Sequence, residues 1–319
     1  MIRRTPREVA LALALACLLG VVAFAAPDFF AAGNLRNLLV DSLPLLVASV
    51  GMTLLMLTGK IDISIGAQFA VCGVVLGVVS RAGAPAFVAI AATLAAGASL
   101  GALNGFFVAR LGVPAVIATL ACMAMLRGVL RWWSGGQWIQ DLPTTFRWFG
   151  LSQTAGQVCF VAAAAAVFLL AAAFLRFSSA GRTLPAVGCD AEAARLAGIE
   201  PGRVAFSAFV LMGTLTAVAA LPNFPRYPAI EIEAGIGFEL AVIACVVVGG
   251  TAIQGGRGTL LGTLLGVLLL SAIGTVLVFL HVDPAWERAI QGAIILVAVA
   301  FDGLWSPARR ARRGSVADA

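Results

Sequence analysis

Residues 259–280 read TLLGTLLGVLLLSAIGTVLVFL, 22 consecutive positions without a single charged side chain. A helix needs about 20 apolar residues to cross the hydrocarbon core of a bilayer. Within that core every backbone N–H and C=O must find its partner inside the protein, and a helix satisfies this requirement locally. The stretch therefore predicts a membrane-spanning helix.

Nine more apolar segments lie at approximately 9–26, 43–58, 65–80, 85–109, 114–130, 157–176, 203–221, 237–253 and 289–304. The chain of 319 residues is 61% hydrophobic and 11% charged, with a mean hydropathy of +1.03. Soluble domains carry about 25% charged residues. We therefore expect an all-α, polytopic integral membrane protein with about ten transmembrane helices. The segments 65–80, 114–130 and 237–253 are short for a full crossing, which predicts that some are half-helices or re-entrant.

The distribution of charge predicts the orientation in the membrane. If all ten segments cross, two thirds of the 21 Lys and Arg residues fall on the same side as Met1. Cytoplasmic segments carry the excess of basic residues in membrane proteins. We therefore expect both termini to be cytoplasmic, one transmembrane domain over 1–308, and a basic, disordered tail over 309–319. The net charge of +6 is explained in this way, without nucleic-acid binding.

Cysteine and histidine usage argues against a metal centre. The six Cys residues are widely spaced, without a CxxC pair, and the chain has one His. Such cysteines are typically small buried apolar side chains. We expect no catalytic, cofactor-binding or metal-binding residues.

One polar stretch interrupts the apolar sequence, residues 188–201, which read GCDAEAARLAGIEP. Asp190 is a favourable N-cap, and Glu192 suits the positive end of a helix with Arg195 three residues further on. Gly198 can adopt the left-handed conformation that ends a helix. The predicted helix has about seven residues, too few to be stable alone. We expect it to lie against another surface, on the cytoplasmic side.

Two segments are expected on the opposite, external side. Residues 131–156 contain Trp132, Trp133, Trp138 and Trp148, and indole rings favour the headgroup region, which predicts mostly interfacial anchors. Residues 222–236 contain three prolines and predict an irregular loop.

Three sequence blocks resemble the permease subunits of ribose-type ABC sugar importers. The first is LTGKIDISIG at 57–66, where Lys60 replaces the usual second glycine of that family's signature. The second comprises GALNG at 101–105 and VPAVIATL at 113–120, followed by Arg127-Gly128 and Gly135-Gly136. The third comprises AARLAGI at 193–199, GIGFEL at 235–240, VGGT at 248–251 and GGRGTLLGT at 255–263. Within the family, GGQWIQDLP at 135–143 is most similar to the autoinducer-2 and rhamnose branch.

The resemblance implies a fold of about ten helices and a second permease subunit, identical or paralogous, around one central path. It further implies cassette ATPase subunits, a periplasmic solute-binding protein and a location in the bacterial inner membrane among its lipids. The chain has no G-x-x-x-x-G-K-[ST] phosphate loop, so ATP is expected to be bound by the partner ATPase. By resemblance, the ATPase-coupling loop consists of Asp190, Glu192, Arg195, Leu196 and Gly198.

Polar side chains within apolar segments are candidates for the translocation path, because they are costly in lipid. Gln68, Asn104, Thr119 and Glu239 meet this criterion. Asn104 could instead mediate helix packing, and Glu239 could be an acid at the first turn of a helix. We interpret Asp62 and Ser64 as a helix-capping pair.

Two other functions remain open from sequence alone. A membrane enzyme would need clustered carboxylates or His at the membrane surface, and here the charges are isolated. A stand-alone ion-coupled secondary transporter normally carries charges at mid-membrane, whereas Asp41, Glu239 and Asp302 lie near segment ends.

Overall fold

The computed structural model describes residues 6–279 and, beyond them, 282–283, 286, 289–293 and 296. Within residues 6–279 the chain forms eleven α-helices. They are α1 Pro6–Ala25, α2 Ala32–Leu57, α3 Ile65–Arg81, α4 Ala86–Gly105, α5 Ala115–Ser134, α6 Gln153–Phe177, α7 Ser179–Cys189, α8 Ala191–Leu196, α9 Pro201–Asn223, α10 Phe238–Val248 and α11 Leu260–Phe279. Helix α4 continues as a π-helical turn over Phe106–Arg110. The described part contains one isolated antiparallel bridge, between Ile139 and Ile230, and no longer strand.

The predicted all-α membrane architecture is confirmed. Six helices are long and apolar enough to cross a membrane, namely Ala32–Leu57, Ala86–Arg110, Ala115–Ser134, Gln153–Phe177, Pro201–Arg226 and Leu260–Phe279. Three shorter apolar helices cover Glu8–Phe24, Ile65–Arg81 and Phe238–Val248. Most of the predicted segment 289–304 and the whole tail 309–319 lie outside the described residues. The expected count of about ten is therefore supported only roughly.

The expected short helix at 114–130 is instead a full-length span. Helix α5 has 20 residues and continues through Arg131, Trp132 and Trp133 before it ends at Gly135, which adopts φ +61. Basic and indole side chains are favourable at the membrane interface. The helix can therefore continue through these residues although they are not part of its apolar segment. The backbone conformation of Gly135, which glycine adopts readily, closes it.

Helices α3 and α10 are shorter than the bilayer core and begin inside the protein. With 17 and 11 residues, they are about 25 and 16 Å long at 1.5 Å per residue. Their first turns meet, since a Cβ atom on Gly66 would lie 2.1 Å from Glu239 Oε2. Both segments form short helices, as expected, and their half-helix or re-entrant character stays a prediction.

Helices α4 and α9 pack at backbone contact distance through glycines. Gly97 and Gly101 of α4 face Gly213 and the backbone at Phe209 of α9. A Cβ atom on Gly101 would lie 2.3 Å from the carbonyl oxygen of Phe209, and one on Gly213 would lie 2.2 Å from that of Gly97. Small residues allow such close approach in membranes, where apolar burial does not drive association between helices.

Loops from distant parts of the chain gather at two ends of the helix bundle. At one end, which we call the bridge end, Ile139 and Ile230 exchange two backbone hydrogen bonds of 3.0 Å. At the other, the glycine end, the Gly256 N–H donates to the carbonyl oxygen of Leu57 at 3.0 Å. The two segments expected outside the cell, 131–156 and 222–236, are therefore neighbours at the bridge end.

One of the four expected tryptophan anchors lies in the protein core. Trp132, Trp133 and Trp138 are exposed, whereas Trp148 is buried. Its ring lies 5.7 Å from that of Phe160 and covers Gly156. Trp148 is an exception within the prediction that most of the four are anchors, because an indole also packs well against an aromatic ring on a neighbouring helix.

The α4–α9 contact predicts a strong effect of one methyl group. We expect Gly101→Ala to destabilise the fold by about 1–3 kcal/mol, since the carbonyl it meets belongs to the backbone and cannot rotate away. The melting temperature of the detergent-purified protein should fall accordingly. Gly20→Ala is the matched control, because a Cβ atom there meets nothing within 4 Å. Equal melting temperatures for the two variants would contradict this packing.

Candidate functional site

Helix α8 is the predicted polar helix, and both of its ends are closed by local hydrogen bonds. It has six residues, and Asp190 Oδ1 accepts from the backbone N–H groups of Glu192 at 2.9 Å and Ala193 at 3.0 Å. At the other end Ile199 N–H donates to the carbonyl of Ala194 at 3.0 Å, with Gly198 at φ +81. This C-terminal arrangement is a Schellman motif. The sequence prediction for both helix ends is confirmed.

The helix presents almost all of its surface to the outside. Ala194 is buried, whereas the side chains of Glu192 and Arg195 are each 65% exposed and Leu196 is 80% exposed. Glu192 accepts two hydrogen bonds from Arg195, and these raise the pKa of the guanidinium above its ordinary value. The exposed surface therefore combines one internal ion pair with one large apolar side chain.

Helix α7 supports α8 and is missing from the sequence predictions. Ser178 caps it by accepting from the N–H of Gly181 at 3.2 Å, and Leu184 and Val187 are buried. Gly181 sits against the backbone at Phe174, where a Cβ atom would lie 2.1 Å from the carbonyl oxygen. The sequence pattern that could have predicted α7 is Ser178, a favourable N-cap, followed by the apolar residues Leu184 and Val187, three positions apart.

The end of α7 meets two turns of the chain in a contact that we call the glycine junction, formed by Gly59, Gly188, Gly255 and Gly256. A Cβ atom on Gly188 would lie 1.9 Å from the carbonyl oxygen of Leu57, and one on Gly255 would lie 2.6 Å from the nitrogen of Gly59. Three of the four also adopt positive φ, with values between +74 and +92. The α7–α8 unit therefore touches the end of α2 and the loop before α11 without intervening side chains.

A fully buried polar cluster follows the glycine junction in the chain. The Asp62 carboxylate is 0% exposed and accepts four hydrogen bonds. Oδ1 receives the backbone N–H and the hydroxyl of Ser64 at 2.8 and 2.6 Å. Oδ2 receives the side-chain amides of Gln68 at 2.8 Å and Asn104 at 3.0 Å. The interpretation of Asp62 and Ser64 as a helix-capping pair is wrong, because neither side chain accepts from the first N–H groups of α3. Asp62 instead closes the turn before the helix and binds α4 inside the protein.

Thr119 attaches the same turn to α5. Its hydroxyl oxygen accepts from the backbone N–H of Ile63 at 3.1 Å and donates to the carbonyl of Ala115 at 2.9 Å. Three predicted path residues, Gln68, Asn104 and Thr119, thus surround one turn, and none of them lines either cavity described below. Their assignment to the path stays a prediction.

Glu239, the fourth predicted path residue, lies apart from this cluster. It occupies the first turn of α10, and its Oε1 accepts from the backbone N–H of Gly237 at 3.2 Å. Its Oε2 is buried beside Gly66 and has no hydrogen-bond partner among the residues that the structure describes. Buried polar atoms normally have partners, so this oxygen is available to accept from water or a solute.

A cavity of about 480 Å³ opens beside Glu239 between α5 and the 232–239 segment. Arg127 helps to form its wall by donating to the carbonyls of Ala234 at 2.9 Å and Ile232 at 3.4 Å. Charged groups of both signs and one indole line it, namely Arg127, Arg131, Trp138, Glu233 and Glu239. The lining offers hydrogen-bond donors, acceptors and an apolar face to a small polar molecule.

A second cavity, of about 760 Å³, lies between α2, α10 and α11. Its lining combines apolar side chains with several polar ones, among them Asp41, Ser271 and Thr275. Asp41 also forms an ion pair with Arg226, which connects α2 to the 224–226 turn at the bridge end. No group of three or more metal-ligating side chains occurs in the part of the chain that the structure describes.

Comparison with known proteins accounts for this combination of a helical membrane fold and an exposed polar helix. Residues 34–299 match the family model described as branched-chain amino acid transport system / permease component. The chain belongs to this family of transport permeases. The family match covers α2 to α11 and includes every site residue discussed above.

Curated relatives match along nearly their whole length. Ribose import permease protein RbsC of Escherichia coli (strain K12) is 36% identical over 294 residues, which cover 91% of this chain and 92% of the relative. Autoinducer 2 import system permease protein LsrC of Salmonella typhi is 34% identical over 302 residues, covering 93% and 86%. No solved structure matches the chain significantly. The family resemblance is confirmed, and since the relatives are transport permeases, so is the expectation that the chain is not an enzyme.

The capping geometry predicts the stability of α8. Asp190→Ala removes the acceptor for two backbone N–H groups and should cost about 1 kcal/mol of local stability. Amide hydrogen exchange over 191–196 should then accelerate about fivefold, since 1.4 kcal/mol corresponds to a factor of ten. Asp190→Asn retains a capping oxygen and should exchange nearly as the wild type does. Identical exchange in all three proteins would contradict the role of this cap.

Proposed function

We propose that this chain is the membrane-spanning permease subunit of an ATP-binding cassette importer for a monosaccharide or related sugar-like solute. The substrate class follows from relatives whose names specify ribose and autoinducer-2 import. The observation that carries the mechanism is α8, a preformed helix whose outward surface has no partner within the described chain. Such a surface is expected to be covered by another protein.

The occupant of that surface, in this proposal, is a groove of a cassette ATPase subunit. Asp190 and Gly198 fix the two ends of α8, while Glu192, Arg195 and Leu196 supply charge and an apolar anchor to the partner. Arginine is among the side chains that most often contribute strongly to binding at protein interfaces. ATP is bound and hydrolysed by the ATPase subunits, and this chain holds no cofactor.

The solute path, in this proposal, enters through the cavity at the bridge end. Glu239 lines this cavity together with Arg127 and Trp138, which supply a donor and a stacking face. The interior N-termini of α3 and α10 resemble the discontinuous helices that build transport sites in other membrane proteins. Weak contacts suffice there, because a periplasmic solute-binding protein supplies the affinity.

The complete importer, in this proposal, contains a second permease subunit, identical or paralogous, in the bacterial inner membrane. The glycine end then faces the cytoplasm with both chain termini, and the bridge end faces the periplasmic binding protein. The excess of basic residues at segments of the glycine end, including Lys60, Arg182 and Arg257, supports this orientation.

The docking role of α8 predicts uncoupling by charge reversal. We expect Glu192→Lys with Arg195→Glu to lower solute uptake at least tenfold in a complex reconstituted with its ATPase and binding protein. The swap keeps an ion pair within the helix but inverts the charges shown to the partner. Uptake and ATP hydrolysis are measured together in proteoliposomes, and membrane insertion should be unchanged.

Another exposed ion pair provides the control. Glu200 and Arg203 have the same i,i+3 spacing, are 57% and 80% exposed and lie at the start of α9. Glu200→Lys with Arg203→Glu should therefore leave uptake close to the wild-type rate. If reversing the α8 pair leaves both uptake and ATP hydrolysis unchanged, the docking role is wrong.

The energy source and the substrate are tested by uptake. Cells that lack this gene should lose ATP-dependent uptake of one of labelled ribose, rhamnose or autoinducer-2, and the purified chain alone should hydrolyse no ATP. Uptake that persists without the ATPase and follows an ion gradient would instead establish the ion-coupled secondary transporter.

A further inference from the structure

The turn at 58–64 connects the glycine junction to the buried polar cluster. Near the start of the turn, Gly59 packs on Gly255. The carbonyl oxygen of Leu57, which precedes the turn, accepts from the N–H of Gly256 and contacts Gly188 of α7. Near the end of the same turn, Asp62 accepts hydrogen bonds from Gln68 of α3 and Asn104 of α4. One short turn therefore contacts both the support of α8 and the interior of the bundle.

A different side chain attaches this turn to each of three helices. Gln68 attaches it to α3, Asn104 to α4, and Thr119 to α5 through the N–H of Ile63. Asn104 and Gln68 each donate to both Asp62 Oδ2 and Ser64 Oγ, at distances from 2.8 to 3.0 Å. The three helices are thus bound to the same seven-residue turn by side chains that are all buried.

The connection from α7 through this turn to the three helices is expected to be stiff. Breaking one of these buried hydrogen bonds leaves a polar group without a partner and costs about 1–3 kcal/mol, because water cannot replace the lost partner. At the glycine junction Gly188 and Gly255 meet neighbouring backbone atoms directly, so few side-chain atoms can absorb a displacement. A shift of α7 of an ångström or more must therefore move the turn, and the turn must move its three helices.

We propose that the 58–64 turn is the positioning element that transmits displacement of the α7–α8 unit to α3, α4 and α5, and that Asn104 and Thr119 act by holding it. This inference rests on the proposed function, because it requires an ATPase that moves α8. It assigns Asn104 and Thr119 a role in coupling without contact to the solute. Both side chains lie outside the described cavities, as this role requires.

The two roles, coupling and solute contact, have different kinetic signatures. A residue that contacts the solute changes the KM of uptake, whereas a coupling residue changes the amount of solute imported per ATP hydrolysed. Asn104→Leu cuts the attachment to α4, and Thr119→Val, which preserves shape, cuts the attachment to α5. Two variants are used since Asn104→Leu leaves a buried carboxylate with one donor fewer and is the more disruptive.

The experiment uses the full complex in proteoliposomes, with labelled ribose or rhamnose, whichever the wild-type complex imports. We expect each variant to keep ATP hydrolysis within about twofold while solute imported per ATP falls about five- to tenfold, the range of an allosteric coupling. The KM of uptake should stay unchanged. Thr119→Ser retains the hydroxyl and should restore the wild-type ratio.

Thr93→Val is the matched control for loss of a buried hydroxyl. Thr93 is fully buried in α4, and its hydroxyl donates only to Ala89 of its own helix at 2.8 Å. This variant should keep the wild-type ratio. A raised KM at constant ratio in the Asn104 and Thr119 variants, or a parallel loss of melting temperature, hydrolysis and uptake, overturns the inference. Failure of the wild-type complex to import under ATP refutes the proposed function itself.

Discussion

The need to satisfy every backbone polar group away from water governs this structure. Long helices meet that need by themselves, but α3 begins at buried residues, where the preceding turn must find its partners inside the protein. The chain compensates with side chains placed at the breaks. Asp62 and Thr119 accept from the backbone of the 58–64 turn, and Glu239 accepts from the backbone before α10. These side chains thus satisfy backbone groups in the turns that precede the two helices.

Glycine residues allow the backbones of neighbouring helices and loops to pack in direct contact. The α4–α9 pair, the contact of Gly66 with the 235–239 segment and the glycine junction all place a backbone where a Cβ atom would collide. In a bilayer, tight packing of this kind replaces the apolar burial that drives the folding of soluble proteins. The positions of these glycines therefore determine which helices can act as one body.

Sequence reasoning succeeded where information is local and failed where it is distributed. The ends of α8 follow from Asp190 and Gly198, whose capping chemistry acts within three residues. The buried position of Asp62 depends on Asn104, which lies 42 residues further along the chain, so no local sequence pattern predicts this contact. Helix α7 and the core position of Trp148 were missed for the same reason, since each depends on packing against a separate segment.

The closed ends of α8 have a consequence for the assembly of the complex. A segment that folds only on binding must lose conformational freedom at that moment, which weakens the association. Because α8 is already capped at both ends and has Ala194 buried against the rest of the protein, docking requires only surface matching and the ordering of a few side chains. Such an interface is suited to subunits that meet repeatedly or move as rigid bodies, since neither partner must refold when contact is lost and regained.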